Sequence, residues 1–292
     1  MNVETFNYSL ESLAPFFYLN KRDRKNIYIF STEKEALEFY NNFSNFVPEA
    51  SHFPAWDTLS YDSFTPSLEI QGKRLQTLHN LLVMESFDIA MSMKSFTQKI
   101  FINDLDVIDM QIGQEVDFEN LIENLAFLKY VNKDRVESRG TFSIRGWQID
   151  IYPLNSEYPV RIIFNGDEVV ELKLFDYITQ RSIKNIKKVL ITPSSELFQT
   201  NQEDIYKSLE IESKKDLDEY ELFQFSQNLE NFKSLLDFLP DEVSINIIDF
   251  NSCKETFNNL QKIEEDSFNN CLLYTSDAAD ERSSVDLGGR RI

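Results

Sequence analysis

The sequence predicts an α/β fold interrupted by a compact α+β insertion, and three observations carry that reading. Strand and helix patterns alternate from Asn26 to about Phe101, a run of short strands occupies residues 139–181, and strand and helix patterns resume from Ile186. With 292 residues, 42% of them hydrophobic, the chain can bury a proper core and fold as two or three units.

Taken in order, Asn26–Ser31 (NIYIFS) is a short apolar strand, and Glu33–Phe46 is an amphipathic helix with Leu37, Tyr40 and Phe43 on one side. Leu68–Met84 is a second helix, its leucines at 68, 75, 78, 81 and 82 falling near helical spacing, and Phe87–Met91 follows at once as a strand. This order implies parallel pairing with helices on the sheet faces. Gln111–Val116 is a connector. Phe118–Tyr130, with Leu121, Leu125 and Leu128, is a helix leading into the strand run.

That run reads as three strands. Phe142 and Ile144 alternate with polar neighbours, the parity switches at Arg145-Gly146, and Trp147, Ile149 and Ile151 continue one apolar face, as a bulge or tight bend requires. Pro153 ends the first strand. Val160, Ile162 and Phe164 mark the second, Asn165-Gly166 signals a type I′ hairpin turn, and Val170, Leu172 and Leu174 return as the third. Downstream, Val189–Ile191 is a buried strand, Leu222–Leu239 a long helix and Ser244–Asp249 a further strand. The expected units are a first α/β segment at 1–111, the α+β insertion at 112–185, a second α/β segment at 186–270, and a tail at 271–292 with no apolar period.

Across the insertion runs an ordered pattern: Arg145-Gly146 to Pro153, Pro159 to Phe164, Asp167-Glu168, and Phe175-Asp176 to Thr179-Gln180-Arg181. It resembles the small β-rich second domain shared by UvrB and the transcription-repair coupling factors of the Mfd type. A second block, Phe53-Pro54-Ala55-Trp56-Asp57-Thr58-Leu59 to Pro66, is similar to a stretch of the coupling factors. Two features favour them over UvrB. The helix at Leu68–Met84 leaves no room for the long β-hairpin with which UvrB grips damaged DNA. None of Gly72, Gly113, Gly140, Gly146 and Gly166 stands in the GxxxxGK[ST] loop that UvrB carries for nucleotide phosphates.

The resemblance implies a degenerate RecA- or Rossmann-like layer without a P-loop, interrupted by a UvrA-binding domain. It implies a UvrA-recruiting module of transcription-coupled nucleotide excision repair, whose parent is an ATP-dependent DNA translocase that displaces stalled RNA polymerase. ATP, magnesium, RNA polymerase and double-stranded DNA would then be bound by missing regions, and this piece would bind without turnover. The family presents arginines to UvrA at the positions of Arg145 and Arg161, followed by an aromatic, here Phe164, with Asn165 where many relatives keep a second Phe. Arginine suits the task because its fork takes carboxylates bidentately and stacks well at interfaces. The bland rival is that each arginine pairs with a nearby acid of this acidic chain. Cys271–Ile292 resembles translated sequencing-adaptor sequence, so the native frame is expected to continue past Asn270.

A net charge of −20 and a pI near 4.5 argue against a general grip on nucleic acid, which needs clustered Lys and Arg. Cys253 and Cys271 show no pairing pattern, Met1–Leu13 has no signal-like apolar core, and no apolar run reaches about 18 residues, so a soluble cytoplasmic monomer is expected. His52 and His79 lack partners at ligand spacing, no nucleophile elbow is present, and Asp167-Glu168 is turn chemistry. The expected catalytic, cofactor and metal residues are therefore none. Two alternatives remain: a degenerate UvrB-like or RecA-like ATPase, separable by a nucleotide-binding measurement, and a free-standing adaptor protein.

Overall fold

The computed structural model describes residues 25–58, 65–100, 105–197, 233–240 and 242–266. Met1–Leu13, residues 59–64 of the tryptophan block, the predicted helix up to residue 232, and the tail from Cys271 lie outside them. Along the described chain come β1 (Lys25–Phe30), α1 (Glu33–Phe43), β2 (Ser51–Phe53), α2 (Leu68–Val83), β3 (Phe87–Ser92) and α3 (Met93–Thr97). There follow β4 (Ile108–Gln111), α4 (Phe118–Phe127), β5 (Val131–Asn132), β6 (Thr141–Ile144), β7 (Gln148–Ile151), β8 (Val160–Asn165), β9 (Glu168–Phe175), β10 (Ser182–Ile186) and β11 (Lys188–Ile191). A 3-10 turn (Leu235–Phe238), β12 (Val243–Ile247) and a helix α5 over 250–266 complete the series.

The alternation at the start of the chain builds a parallel sheet of order β12-β1-β3-β2. Period two along β1 sends Ile27 and Ile29 to one face and Tyr28 and Phe30 to the other, and both faces are covered. On the second face lie Ala36, Phe39 and Phe43 of α1, with the Phe39 ring 5.1 Å from Tyr28 and 5.0 Å from Phe30. The buried stripe is thus 36/39/43 and not the expected Leu37/Tyr40/Phe43. Leu37 is exposed, because the capping box of Thr32 and Glu35 sets the start of the helix and hence the face it turns to the sheet.

Between β3 and β12 the chain leaves this sheet. β4 and β11 pair antiparallel, Ile108 opposite Ile191, so the two ends of the excursion meet. Val189–Ile191 therefore belongs to this two-stranded root and not to the parallel sheet. The excursion holds a six-stranded sheet of order β10-β9-β8-β7-β6-β5, antiparallel except for β5 with β6.

Residues 139–181 form four strands, not three. At Arg145-Gly146 the chain does not bend but reverses: Gly146 (φ 61°) and Trp147 make a two-residue loop, closed by Arg145 and Gln148, which exchange backbone bonds of 2.9 and 3.2 Å. In the next hairpin Asn165 pairs with Glu168, and Gly166 (φ 62°) is the first loop residue. Asn165 closes the loop and does not enter it, and Asp167, the second loop residue, is absent from the left-handed region, so the geometry suits type II′ and not I′. A register shift at Ile163/Phe164 then places Val169 and Leu172 in the core, while Val170 and Leu174 are only half-buried. The described end of the predicted helix Leu222–Leu239 is an isolated bridge from Lys233 to Ile100 followed by the 3-10 turn.

One core joins the two sheets. Phe118, Leu121 and Leu125 of α4 and the inner residues Ile149, Ile151, Val160, Ile162, Phe164 and Leu172 are continuous with Leu75 and Leu78 of α2 and with Ile27 and Ile89. Each such side chain contributes about 1.5–3 kcal/mol on full burial. At the junction Gly72 lets α2 approach so closely that a Cβ there would lie 2.3 Å from the Leu154 carbonyl oxygen.

Candidate partner-binding site

Strand register decides which side chains share the outer face of the six-stranded sheet. Ser143, Asp150, Arg161, Lys173 and Asn185 form one cross-strand row. Arg145 and Gln148, the hairpin's closing pair, begin the next row with Ile163 and Glu171. Arg145 and Arg161 thus lie on one face, two strands and about 10 Å apart.

Their environments differ. Arg161 Nε and Nη2 each donate 2.8 Å bonds to the two oxygens of Asp150, a bidentate pair whose side chains are 17% and 2% exposed. Gln148 Nε2 also donates to Asp150, and the Arg161 guanidinium lies 4.7 Å from the Phe175 ring. The carboxylate raises the Arg161 pKa further, against a smaller opposing effect of burial. Residues 133–140 cross this part of the face, with Val136 buried against Tyr152 and Phe175. The exposed Arg145 has no ion pair among the described residues. Its Nη2 donates to the Asp134 carbonyl (3.0 Å), which fixes the arm and leaves the positive charge uncompensated.

Phe164 is a core residue, 4% exposed, packed edge-to-face on Phe118. It faces away from the two arginines and can serve a partner only by holding the tip in place. The exposed aromatic is Trp147 in the hairpin loop, 58% exposed, its ring in a T-shaped contact with Phe118 at 5.4 Å between centroids and its carbonyl accepting from Phe164 N. The expectation that Trp147 continues an apolar strand face hides it. The available signal was the Arg-Gly-Trp-Gln step, in which glycine in first loop position turns the chain and carries the next residue out of the sheet.

Sequence reasoning also passes over Arg74 and Glu196, both fully buried. Arg74 Nε donates to Glu196 Oε1 at 2.8 Å, Nη1 to the Pro54 carbonyl at 2.9 Å, and the guanidinium sits 4.2 Å from Phe53 and 4.8 Å from Trp56. Trp56 Nε1 donates to the same carboxylate, and Gln71 Oε1 accepts from Glu196 N. Burial pushes the Glu196 carboxyl upward while Arg74 pulls it back. The signal was Arg74 standing beside Leu75 and four residues before Leu78 on the apolar stripe of α2. This cluster ties α2 to the chain leaving β11.

Other chemistry is sparse. His52 lies 3.0 Å from Glu33 and 5.9 Å from the Tyr40 ring, as a packed side chain. A cleft of about 440 Å³ between α1, α2 and residues 154–157 balances Lys73 and Arg139 against Glu69 and Glu157. Among the described residues no group of His, Cys, Asp and Glu could hold a metal ion, and no helix is long and apolar enough to cross a membrane.

Residues 108–197, which run from β4 to just past β11, match the family model of the UvrB interaction domain. The chain is 29% identical over 168 residues to the transcription-repair-coupling factor of Escherichia coli K12, covering 56% of this chain and 14% of that protein. It is 30% identical over 142 residues to that of Mycobacterium bovis (46% and 12%) and 27% identical over 256 residues to that of Staphylococcus epidermidis RP62A (77% and 22%). It spans between about an eighth and a fifth of the length of these relatives.

Proposed function

We propose, from the UvrB interaction domain that this chain carries over residues 108–197 and its similarity to the transcription-repair-coupling factors, that it is the UvrA-recruiting, UvrB-like N-terminal module of such a factor. In this reading the parallel sheet is the remnant of a RecA-like layer, and residues 112–185 are the inserted recruiting domain. ATP, magnesium, RNA polymerase and double-stranded DNA are handled by parts of the parent that the chain does not span, and the module works in the cytoplasm without turnover of its own.

The observation that carries the reading is the hairpin tip. Arg145 is an uncompensated cation held at the β6–β7 turn of the matched domain, and Trp147 beside it is a large exposed aromatic. Arginine and tryptophan are the side chains from which interface hot spots are most often made. Arg161 supports the tip through Asp150 and offers the partner the rim of its ion pair. Trp147 stands next to Asn165, since Phe164 bonds to its backbone, and so can supply the aromatic surface that Asn165 lacks.

The test is titration of purified UvrA against the full chain. Arg145→Glu and Trp147→Ala are each expected to weaken binding by about 2 kcal/mol or more, roughly thirtyfold, with wild-type affinity falling as salt rises. Unchanged affinity in both folded variants would place the recruiting surface elsewhere.

A further inference from the structure

We propose that the open edge of β10 is a docking site for an acidic, extended polypeptide segment, which adds to the six-stranded sheet as a further strand. β10 is the terminal strand of that sheet and pairs only with β9. Ser182 to Asn185 are all exposed, so no described residue covers the row of backbone donors and acceptors that faces away from β9.

The charge of this edge is opposite to that of the molecule. Residues 177–195 contain Arg181, Lys184, Lys187 and Lys188 and no acid, in a chain of net charge −20. All four cations are exposed and none has an ion pair among the described residues. The nearby carboxylates are engaged: Glu171 with Lys173 on β9, and Asp176 with the backbone N–H groups of Ile178 and Thr179. Opposite Lys188 on β4 stands the neutral Gln111.

Two exposed isoleucines lie within this basic rim, Ile178 at 66% and Ile183 at 51%, the latter at the register shift between Ser182 and Lys184. Open backbone, apolar contacts and cations together fit a peptide strand whose side chains alternate between acidic and aliphatic. A nucleic-acid backbone would use only the cations, and it would meet the repulsion of the whole acidic chain. Edge lysines also discourage pairing with a second copy of a like-charged edge, so the same residues that block self-association select an acidic strand.

The experiment uses the full chain and an acetylated, amidated ten-residue peptide of alternating glutamate and valine. Amide shifts in 15N spectra are expected to cluster at residues 182–187. The exposed triple variant Lys184→Glu/Lys187→Glu/Lys188→Glu should bind at least about tenfold more weakly, as should a peptide N-methylated at alternate residues, which keeps its charge and loses its backbone donors. Arg145→Glu should bind the peptide as the wild type does, which separates this edge from the UvrA site. Equal affinity of the N-methylated peptide would reduce the site to plain charge attraction and overturn strand addition. So would equal or tighter binding of a DNA duplex of about 20 base pairs at the same salt, binding no tighter than about 1 mM, or self-association through β10 seen in sedimentation.

Discussion

Arg145 and Arg161 share a residue type and a sheet face, but only one can be reversed in charge without damage to the fold. Arg161→Glu would set a second carboxylate against Asp150, which is nearly sealed from water, and leave that aspartate without its bidentate partner. Breaking a buried pair in this way costs about 3–5 kcal/mol, and the 17% exposure of Arg161 puts the expectation near the lower end. Urea unfolding should show the loss, whereas Arg145→Glu should shift the midpoint little. A loss under about 1 kcal/mol for Arg161→Glu would mean that the pair is idle. Asp176 gives a pH signature. The backbone N–H of Thr179, then its hydroxyl, hold the Asp176 carboxyl below its ordinary 3.8. A carboxylate with a depressed folded-state pKa adds stability above the unfolded value, and that share is lost as pH falls through the folded value. The 176–181 corner should therefore loosen only below the ordinary aspartate range, visible as movement of the Thr179 amide in an NMR titration and absent in Asp176→Ala.

At the scale of elements, Gly72 sets two effects against each other. Alanine gains about 1 kcal/mol of helix propensity over glycine. Its Cβ, however, would sit 2.3 Å from a backbone oxygen that has no freedom to yield, and overpacking of this kind costs about 1–3 kcal/mol. Gly72→Ala is expected to destabilise on balance, with a lower denaturation midpoint and disturbed contacts at Leu154. Local pattern announces the helices and the parallel strands because Ile27, Ile29, Leu75 and Leu78 repeat at the period of their own element. It does not announce the hairpin at Gly146, since a parity switch is common to a bulge and to a two-residue turn. Nor does it show that Val189–Ile191 pairs with β4, because an apolar triplet looks alike in either sheet. The arginines of the tip emerged from an ordered motif. The burial of Phe164 and the Arg74–Glu196 pair depend on partners 46 and 122 residues away, which no local period encodes, while the exposure of Trp147 rests on the turn at Gly146, which period-two alternation does not register.

For the whole molecule, the shared core and the Arg74–Glu196 pair join the two sheets, and one cooperative unfolding transition is expected from them. The chain's two tryptophans report on it separately: Trp56 sits in the buried cluster beside α2 and Trp147 at the hairpin tip. Fluorescence of Trp56 in a Trp147→Phe variant and far-UV dichroism of the same protein should trace one urea transition, and a split would show that the insertion unfolds by itself. The place of β1 also has a consequence in time. Its neighbour β3 ends at Ser92, but its other neighbour, β12, ends at Ile247, after the whole insertion. At about 10 residues per second the ribosome needs roughly 20 s to make the 217 residues between Phe30 and Ile247. Throughout that interval one edge of β1 stays vacant, a hazard for a nascent chain, while the six-stranded sheet, whose strands lie between Val131 and Ile186, can already close.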